Sequence, residues 1–235
     1  MWDSGRVTGN DAHLPAPRPT PDHPHPDAAA PSLIAIEQLE DAKDDLRAAI
    51  KDRRSQLDRK ALDSSARDIT QQVLALTATL GLGAGDTVAA YVSRHAEPGT
   101  LPTLEALHAA GLEVLVPVLG PALDRCWGVF TGQDDLAQLA PGRPLEPRGT
   151  CEEATAVGRA RLVLCPALAI DDAGVRLGLG GGWYDRALLH ADPAAHVVGV
   201  VYDEEANHPP LPRAPHDVPV HGVLTPTSWW QLPAA

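Results

Sequence analysis

The chain is short of the residues that staple a fold, span a bilayer or grip nucleic acid. Its three cysteines, Cys126, Cys151 and Cys165, are an odd number without metal-ligand spacing, which argues against a disulfide framework and for a reducing compartment. No stretch of about 18 apolar residues occurs, so no transmembrane helix is expected. The N-terminal region lacks the apolar segment of a signal peptide. Nineteen basic residues face 31 acidic ones, and a net charge of −12 removes the basic footprint that nucleic-acid binding requires. Aromatic residues make up only 4%, so aliphatic side chains must fill the core. These absences predict a soluble, cytoplasmic protein, expected to be a monomer, that binds small molecules and neither nucleic acid nor membrane.

What is present suits a globular domain. A length of 235 residues and a hydrophobic fraction of 44% suffice for a core without metals or disulfides. Residues 1–32 are rich in proline (Pro15, Pro17, Pro19, Pro21, Pro24, Pro26, Pro31) and histidine and have no apolar periodicity. Such a segment buries too little surface to offset chain entropy, so a disordered tail is expected, with the folded domain over 33–235. Apolar residues at Leu39, Leu46, Ile50 and Leu57 have helical spacing. A second helix is expected over Ser64–Leu80, opened by a capping box of Ser65 and Asp68 and closed at Gly81. Thr87–Val92, Glu113–Val118, Arg125–Phe130, Arg161–Ile170, His196–Tyr202 and Gly222–Thr225 read as strands, and Thr100–Ala110 and Trp183–His190 as helices. The prolines and glycines of 131–160 predict a loop with one helical turn. The alternation implies α/β architecture: a three-layer α/β/α domain with a largely parallel sheet.

Chemistry concentrates in Asp171–Arg186. Four glycines within five residues, Gly178, Gly180, Gly181 and Gly182, separate the expected 161–170 strand from the expected helix at Trp183. Glycines let a ligand approach the backbone, and successive N–H groups in such a bend make an anion-binding nest. Arg176 and Arg186 flank the bend as cations suited to phosphate, and Asp185 offers a hard oxygen ligand for magnesium beside it. Neither G-x-x-x-x-G-K-[ST] nor G-x-G-x-x-G is satisfied, since no Lys-Ser or Lys-Thr follows the glycines and Trp183 stands where the last glycine would be. Gly81–Gly85 follows a helix and precedes a strand, the reverse of a dinucleotide loop, and is a connector. Lys43 and Arg47 share one helical face, though on so charged a helix that face also suits solvent. The Trp229-Trp230 pair reads as a packing tail.

Arg176-Leu177-Gly178-Leu179-Gly180-Gly181-Gly182-Trp183-Tyr184-Asp185 resembles the signature of the 5-formyltetrahydrofolate cyclo-ligase family (5,10-methenyltetrahydrofolate synthetases). Lys43-x-x-x-Arg47, Tyr91-Val92-Ser93 with Glu97 and Thr100, Glu146-Pro147, Cys165–Ala169 and Pro215-His216-Asp217 with Leu224-Thr225 follow in the family's order, over roughly residues 40–226. The resemblance implies ATP- and Mg²⁺-dependent closure of 5-formyltetrahydrofolate to 5,10-methenyltetrahydrofolate, with ADP and phosphate released. It assigns ATP to Lys43, Arg47, Arg176 and the run Gly178, Leu179, Gly180, Gly181, Gly182, Trp183 and Tyr184. It assigns the folate to Val92, Glu97 and the loop residues Leu179–Trp183, magnesium to Asp185 and Asp217, and catalysis to Arg176 and Asp185. Four positions depart from the pattern: Leu179 and Gly181 replace basic residues of some relatives, Trp183 the usual tyrosine, and His221 a common acidic residue. The altered loop also suits a folate- or nucleotide-binding relative without turnover, or an ATP-dependent enzyme of a different substrate.

Overall fold

The computed structural model describes residues 33–120 and 124–233, so the tail expected over 1–32 lies outside the described residues. Eleven strands and four α-helices occur among the described residues. Helices α1 (Leu33–Ser55) and α2 (Arg59–Thr79) lead into β1 (Thr87–Ala89), α3 (Leu101–Ala109), β2 (Glu113–Leu119) and β3 (Arg125–Val129). The hairpin β4 (Leu136–Gln138) and β5 (Leu145–Pro147), then β6 (Ala160–Pro166), β7 (Ala169–Ile170) and β8 (Arg176–Leu177), precede α4 (Trp183–Ala187). Strands β9 (His196–Val200), β10 (Gly222–Leu224) and β11 (Trp229–Gln231) follow. One sheet runs in the order β11-β10-β9-β6-β1-β2-β3. Its inner five strands are parallel, while β3 and β11 are antiparallel edges. The expected α/β class with a largely parallel sheet is therefore what the chain forms.

The topology decides where a ligand can go. From β1 the chain moves through α3 to β2 on one side; from β6 it moves through α4 to β9 on the other. Right-handed crossovers in opposite directions place their helices on opposite faces. Accordingly α2 packs with α3, and α4 packs with the 3₁₀ turn at Ala154–Arg159. Between β1 and β6 the connections diverge, leaving an open crevice at the carboxyl ends of those strands. Val88, Ala89, Leu162, Val163 and Leu164 are fully buried beneath it, as expected for parallel strands covered on both faces.

Helix α1 lies outside these layers. Its positions 43, 47, 50 and 54 follow helical spacing and form one inward stripe. Ile50 packs with Leu168, Ala169, Val175, Leu177 and Leu211 in a second, smaller core, around the ribbon of β7 and β8. Arg54 is buried and donates from Nε and Nη2 to the carboxylate of Glu205 at 2.8 and 2.6 Å, and from Nη2 to the Ala167 carbonyl at 2.8 Å. The helix is thus fastened to the sheet's carboxyl edge by charge as much as by apolar contact.

Several expectations need correction. Helix α2 starts at Arg59 with Asp58 as its cap, its side chain accepting from the Ala61 N–H at 2.7 Å. Ser65 and Asp68 therefore sit inside the helix and form no capping box. The expected strand 161–170 breaks at Pro166, because Pro166, with no N–H to continue the ladder, precedes a turn into the separate β7–β8 ribbon. The 131–160 segment contains the β4–β5 hairpin as well as 3₁₀ turns. Trp229 and Trp230 form edge strand β11 rather than a tail.

Removing one partner of a buried ion pair leaves the other charged and desolvated. Glu205→Ala should cost about 3–5 kcal/mol of unfolding free energy in urea titrations. The double variant Arg54→Met/Glu205→Met should recover most of that loss; equal losses would contradict the ion-pair account.

Candidate active site

A cavity of about 510 Å³ opens at the crevice, a size suited to a small-molecule ligand. Its lining includes Lys43, Arg47, Val92, Glu97, Arg176, Gly178–Asp185 and Asp217, all singled out from the sequence, but not Arg186, the second cation expected to flank the bend. Four separate segments supply them, spanning more than 170 residues of chain (|i−j| = 174 from Lys43 to Asp217). Strand β1 runs on into Tyr91 and Val92, and the turn after it carries Glu97. Strand β8 delivers Arg176, the glycine bend follows, and the 214–218 turn brings Asp217 from the far side.

The bend depends on glycine at two positions. Gly180 has φ +100° and Gly182 φ +57°, which side chains with a Cβ rarely adopt. Arg47 lies against the bend, its Nε donating to the Gly178 carbonyl at 3.0 Å and its guanidinium 3.6 Å from where a Cβ on Gly180 would stand. The helix that follows is only five residues long, with Gly182 at its N-cap. So few peptide dipoles add little partial charge, and positive potential at the bend comes mainly from arginine, lysine and free N–H groups. Tyr184 is buried, its hydroxyl 3.5 Å from the Ala90 carbonyl. Trp183 is partly exposed and meets buried Trp127 edge-on, with ring centroids 4.8 Å apart.

Two of the cations at the bend are met by carboxylates from the 214–218 turn and α4. Lys43, 6% exposed, donates to Asp217 Oδ2 at 2.8 Å, and Arg176, 8% exposed, to Asp185 Oδ1 at 2.6 Å. Asp185 Oδ1 also accepts from the Val218 N–H at 3.2 Å, and Asp217 Oδ2 from the Ala214 N–H at 2.8 Å, so one turn orients both carboxylates. Burial pushes the Asp217 carboxyl up, but the Lys43 ammonium and the Ala214 N–H outweigh it and hold it below the usual range. Glu97 shows the opposite balance: burial raises it, and the Arg94 N–H at 2.7 Å offsets only part.

A divalent cation fits this arrangement in a limited way. Among the described residues no cluster of three or more His, Cys, Asp or Glu could cage a metal. Asp185 and Asp217 each commit one oxygen to a cation, while Asp185 Oδ2 and Asp217 Oδ1 accept no hydrogen bond among the described residues. Two hard oxygens beside a phosphate-binding bend suit Mg²⁺, which keeps waters and phosphate oxygens as its other ligands. Nucleophilic catalysis by cysteine has no support here. Burial pushes the Cys165 thiol up to about 12, against the opposing pull of Arg176.

The cavity also contains residues to which the sequence reading gave no role. Pro117, Val118, Leu119 and Arg125 come from β2 and β3, and Leu145 from the unexpected β5, together with Glu146, noted in the sequence only as a family landmark. Their one signal was Arg125, a charge opening an otherwise apolar strand. His221 lies outside the lining; its N–H donates to the Val197 carbonyl at 2.7 Å.

Comparison with known proteins identifies the family of the chain and supports its fold. The sequence profile of the 5-formyltetrahydrofolate cyclo-ligase family matches residues 39–226. A 5-formyltetrahydrofolate cyclo-ligase of Mycolicibacterium smegmatis is 40% identical over 148 residues, covering 60% of this chain and 74% of that protein. The cyclo-ligase of Escherichia coli K12 is 32% identical over 148 residues, covering 62% and 80%. The solved 5,10-methenyltetrahydrofolate synthetase of Aquifex aeolicus superposes with a TM-score of 0.64 at 22% identity, over 82% of this chain and 94% of that one. That of Mycoplasma pneumoniae gives 0.59 at 18% identity, over 77% and 97%. At such identities these two structures support the fold alone.

Because the folded value of Asp217 is depressed, it contributes stability above the ordinary aspartate range that is lost as pH falls through its lower folded value. In Lys43→Met the burial is no longer outweighed, and the contribution should shrink or change sign. Urea midpoints taken between about pH 5 and pH 2 should fall less steeply with acid in the variant. An unchanged slope would show that Lys43 does not set this carboxyl.

Proposed function

This chain belongs to the 5-formyltetrahydrofolate cyclo-ligase family, and from that premise we propose that it converts 5-formyltetrahydrofolate to 5,10-methenyltetrahydrofolate with ATP and Mg²⁺, releasing ADP and phosphate. The observation that carries the reading is the convergence, in one crevice, of a glycine bend, three basic side chains, two carboxylates and the partly buried Glu97.

Lys43, Arg47 and Arg176, with the N–H groups of Gly178–Tyr184, hold the triphosphate. Two fixed guanidinium forks and an ammonium can follow charge on the transferring phosphoryl group without reorganising. Asp185 and Asp217 would hold Mg²⁺, which neutralises phosphate oxygens when bound. Glu97 faces the pterin, whose amino and ring N–H donors match a carboxylate edge, while Val92 and Trp183 offer apolar surface to the flat ring. The formyl oxygen attacks the γ-phosphorus and ADP leaves. N10 then attacks the formyl carbon, the carbon–oxygen bond breaks, and phosphate departs with the N10 proton as the methenyl bridge forms. Each step demands placement of two substrates and screening of charge, and no protein nucleophile. Leu179 and Gly181 supply no charge, so phosphate binding leans on the backbone and on Arg176.

Incubation of the full chain with 5-formyltetrahydrofolate, Mg²⁺ and ATP should produce the near-ultraviolet band of methenyl-folate, and only when ATP is present. Absence of that band would overturn the reading. Arg176→Ala and Asp185→Ala should each lower kcat at least about 10³-fold with circular dichroism unchanged, the scale of losing a group that stabilises transferring charge. Wild-type rates in either would remove its assignment. Glu97→Gln should raise KM for the folate about tenfold or more and leave KM for ATP within twofold, as expected for a charged hydrogen bond made only to the pterin. Equal changes in both constants would contradict that placement.

A further inference from the structure

Most cations lining the cavity already have partners. Lys43 holds Asp217, Arg176 holds Asp185, Arg47 reaches Asp44, and Arg94 donates to the Gly142 carbonyl at 3.0 Å. Arg125 differs. Among the described residues it makes no hydrogen bond or ion pair, and its Nε is buried without an acceptor. Glu146, which accepts from the N–H of Leu119, the strand partner of Arg125, is committed to Arg143 through both oxygens. A guanidinium kept partly desolvated and unanswered lowers stability, and such a group in a cavity wall points to an anionic acceptor supplied by a ligand.

Position narrows the acceptor. Arg125 opens β3, three strands from β6 and two from β1. At roughly 4.8 Å per strand it stands on the order of 14 Å across the sheet from β6, and on the order of 10 Å from the strand that leads to Val92 and Glu97. Register places it on the same face of the hairpin as Pro117 and Leu119, which line the cavity beside it. The cavity therefore has two cationic ends: the glycine bend with Lys43, Arg47 and Arg176, and Arg125 at the edge strand.

We propose that Arg125 anchors the carboxylates of the substrate's glutamyl tail and so sets preference for a tailed folate. The inference rests on the folate reading above: with the pterin against Glu97, the aminobenzoyl ring crosses Pro117 and Leu119 and the tail carboxylates reach the guanidinium. A planar fork binds a carboxylate through two parallel hydrogen bonds, which an ammonium cannot reproduce.

The test is calorimetric binding to the full chain, with 5-formyltetrahydrofolate, 5-formyltetrahydropteroate (which lacks the glutamate) and MgATP as separate probes. Arg125→Met should weaken the folate about ten- to a hundredfold and leave the pteroate and MgATP within twofold. Its melting temperature should not fall, because no protein partner is lost. Arg125→Lys, which keeps charge and length, should recover part of the affinity and serves as the measurement if the methionine variant does not fold. Equal weakening of folate and pteroate, or an effect on MgATP alone, would overturn the proposal while leaving the proposed function standing. A wild-type chain that binds neither folate nor pteroate would overturn both.

Discussion

Helix α1 reverses the usual division of an amphipathic helix, and the site depends on that reversal. Its inward stripe is Lys43, Arg47, Ile50 and Arg54, three cations around one aliphatic residue. Such a face cannot bury itself on hydrocarbon; each charge needs an acceptor supplied from a distant part of the chain. Asp217, the Gly178 carbonyl, Glu205 and the Ala167 carbonyl provide them. The same contacts that hold the helix against the sheet edge therefore carry basic side chains to the mouth of the crevice. Fastening and function are one set of interactions here.

Charge explains why the acceptors are carboxylates. A chain of net charge −12 repels the anions its cavity is proposed to receive, so positive potential must be built locally. Partly desolvated cations would be costly if left bare, and Asp185 and Asp217 neutralise Arg176 and Lys43 while the cavity stands open. Each carboxylate keeps one oxygen outside these pairs. A hard cation arriving with phosphate could use those oxygens without dismantling the anchoring turn at 214–218.

Stability is given up at the cavity wall in specific places. Arg176 Nε and Arg125 Nε are buried without acceptors, and Glu97 is held where burial disfavours its charge. The surrounding sheet can bear this because its central strands are closed to solvent on both faces. Both arginines line the cavity, where a bound ligand can supply partners that the protein does not.

Local pattern was enough for the α/β class, the identity of most strands and the glycine bend, because strand alternation, helical spacing and the run from Arg176 to Asp185 are properties of adjacent residues. Lys43, Arg47, Val92, Glu97 and Asp217 were singled out only through the family resemblance. Where local rules compete, the sequence misled. Ser65 and Asp68 have a capping pattern, yet the helix starts five residues before Ser64, at Arg59, because Asp58 caps it there. Pro166 ends a strand that hydropathy alone would extend to Ile170. Lys43 and Arg47 looked equally suited to solvent until Asp217 and the glycine bend met them. Which strand stands beside which, and hence the crevice between β1 and β6, was decided only by tertiary structure. So was the arrival of Arg125 in its wall. Adjacency across a sheet arises from long-range packing, and neighbouring residues in the chain carry no record of it.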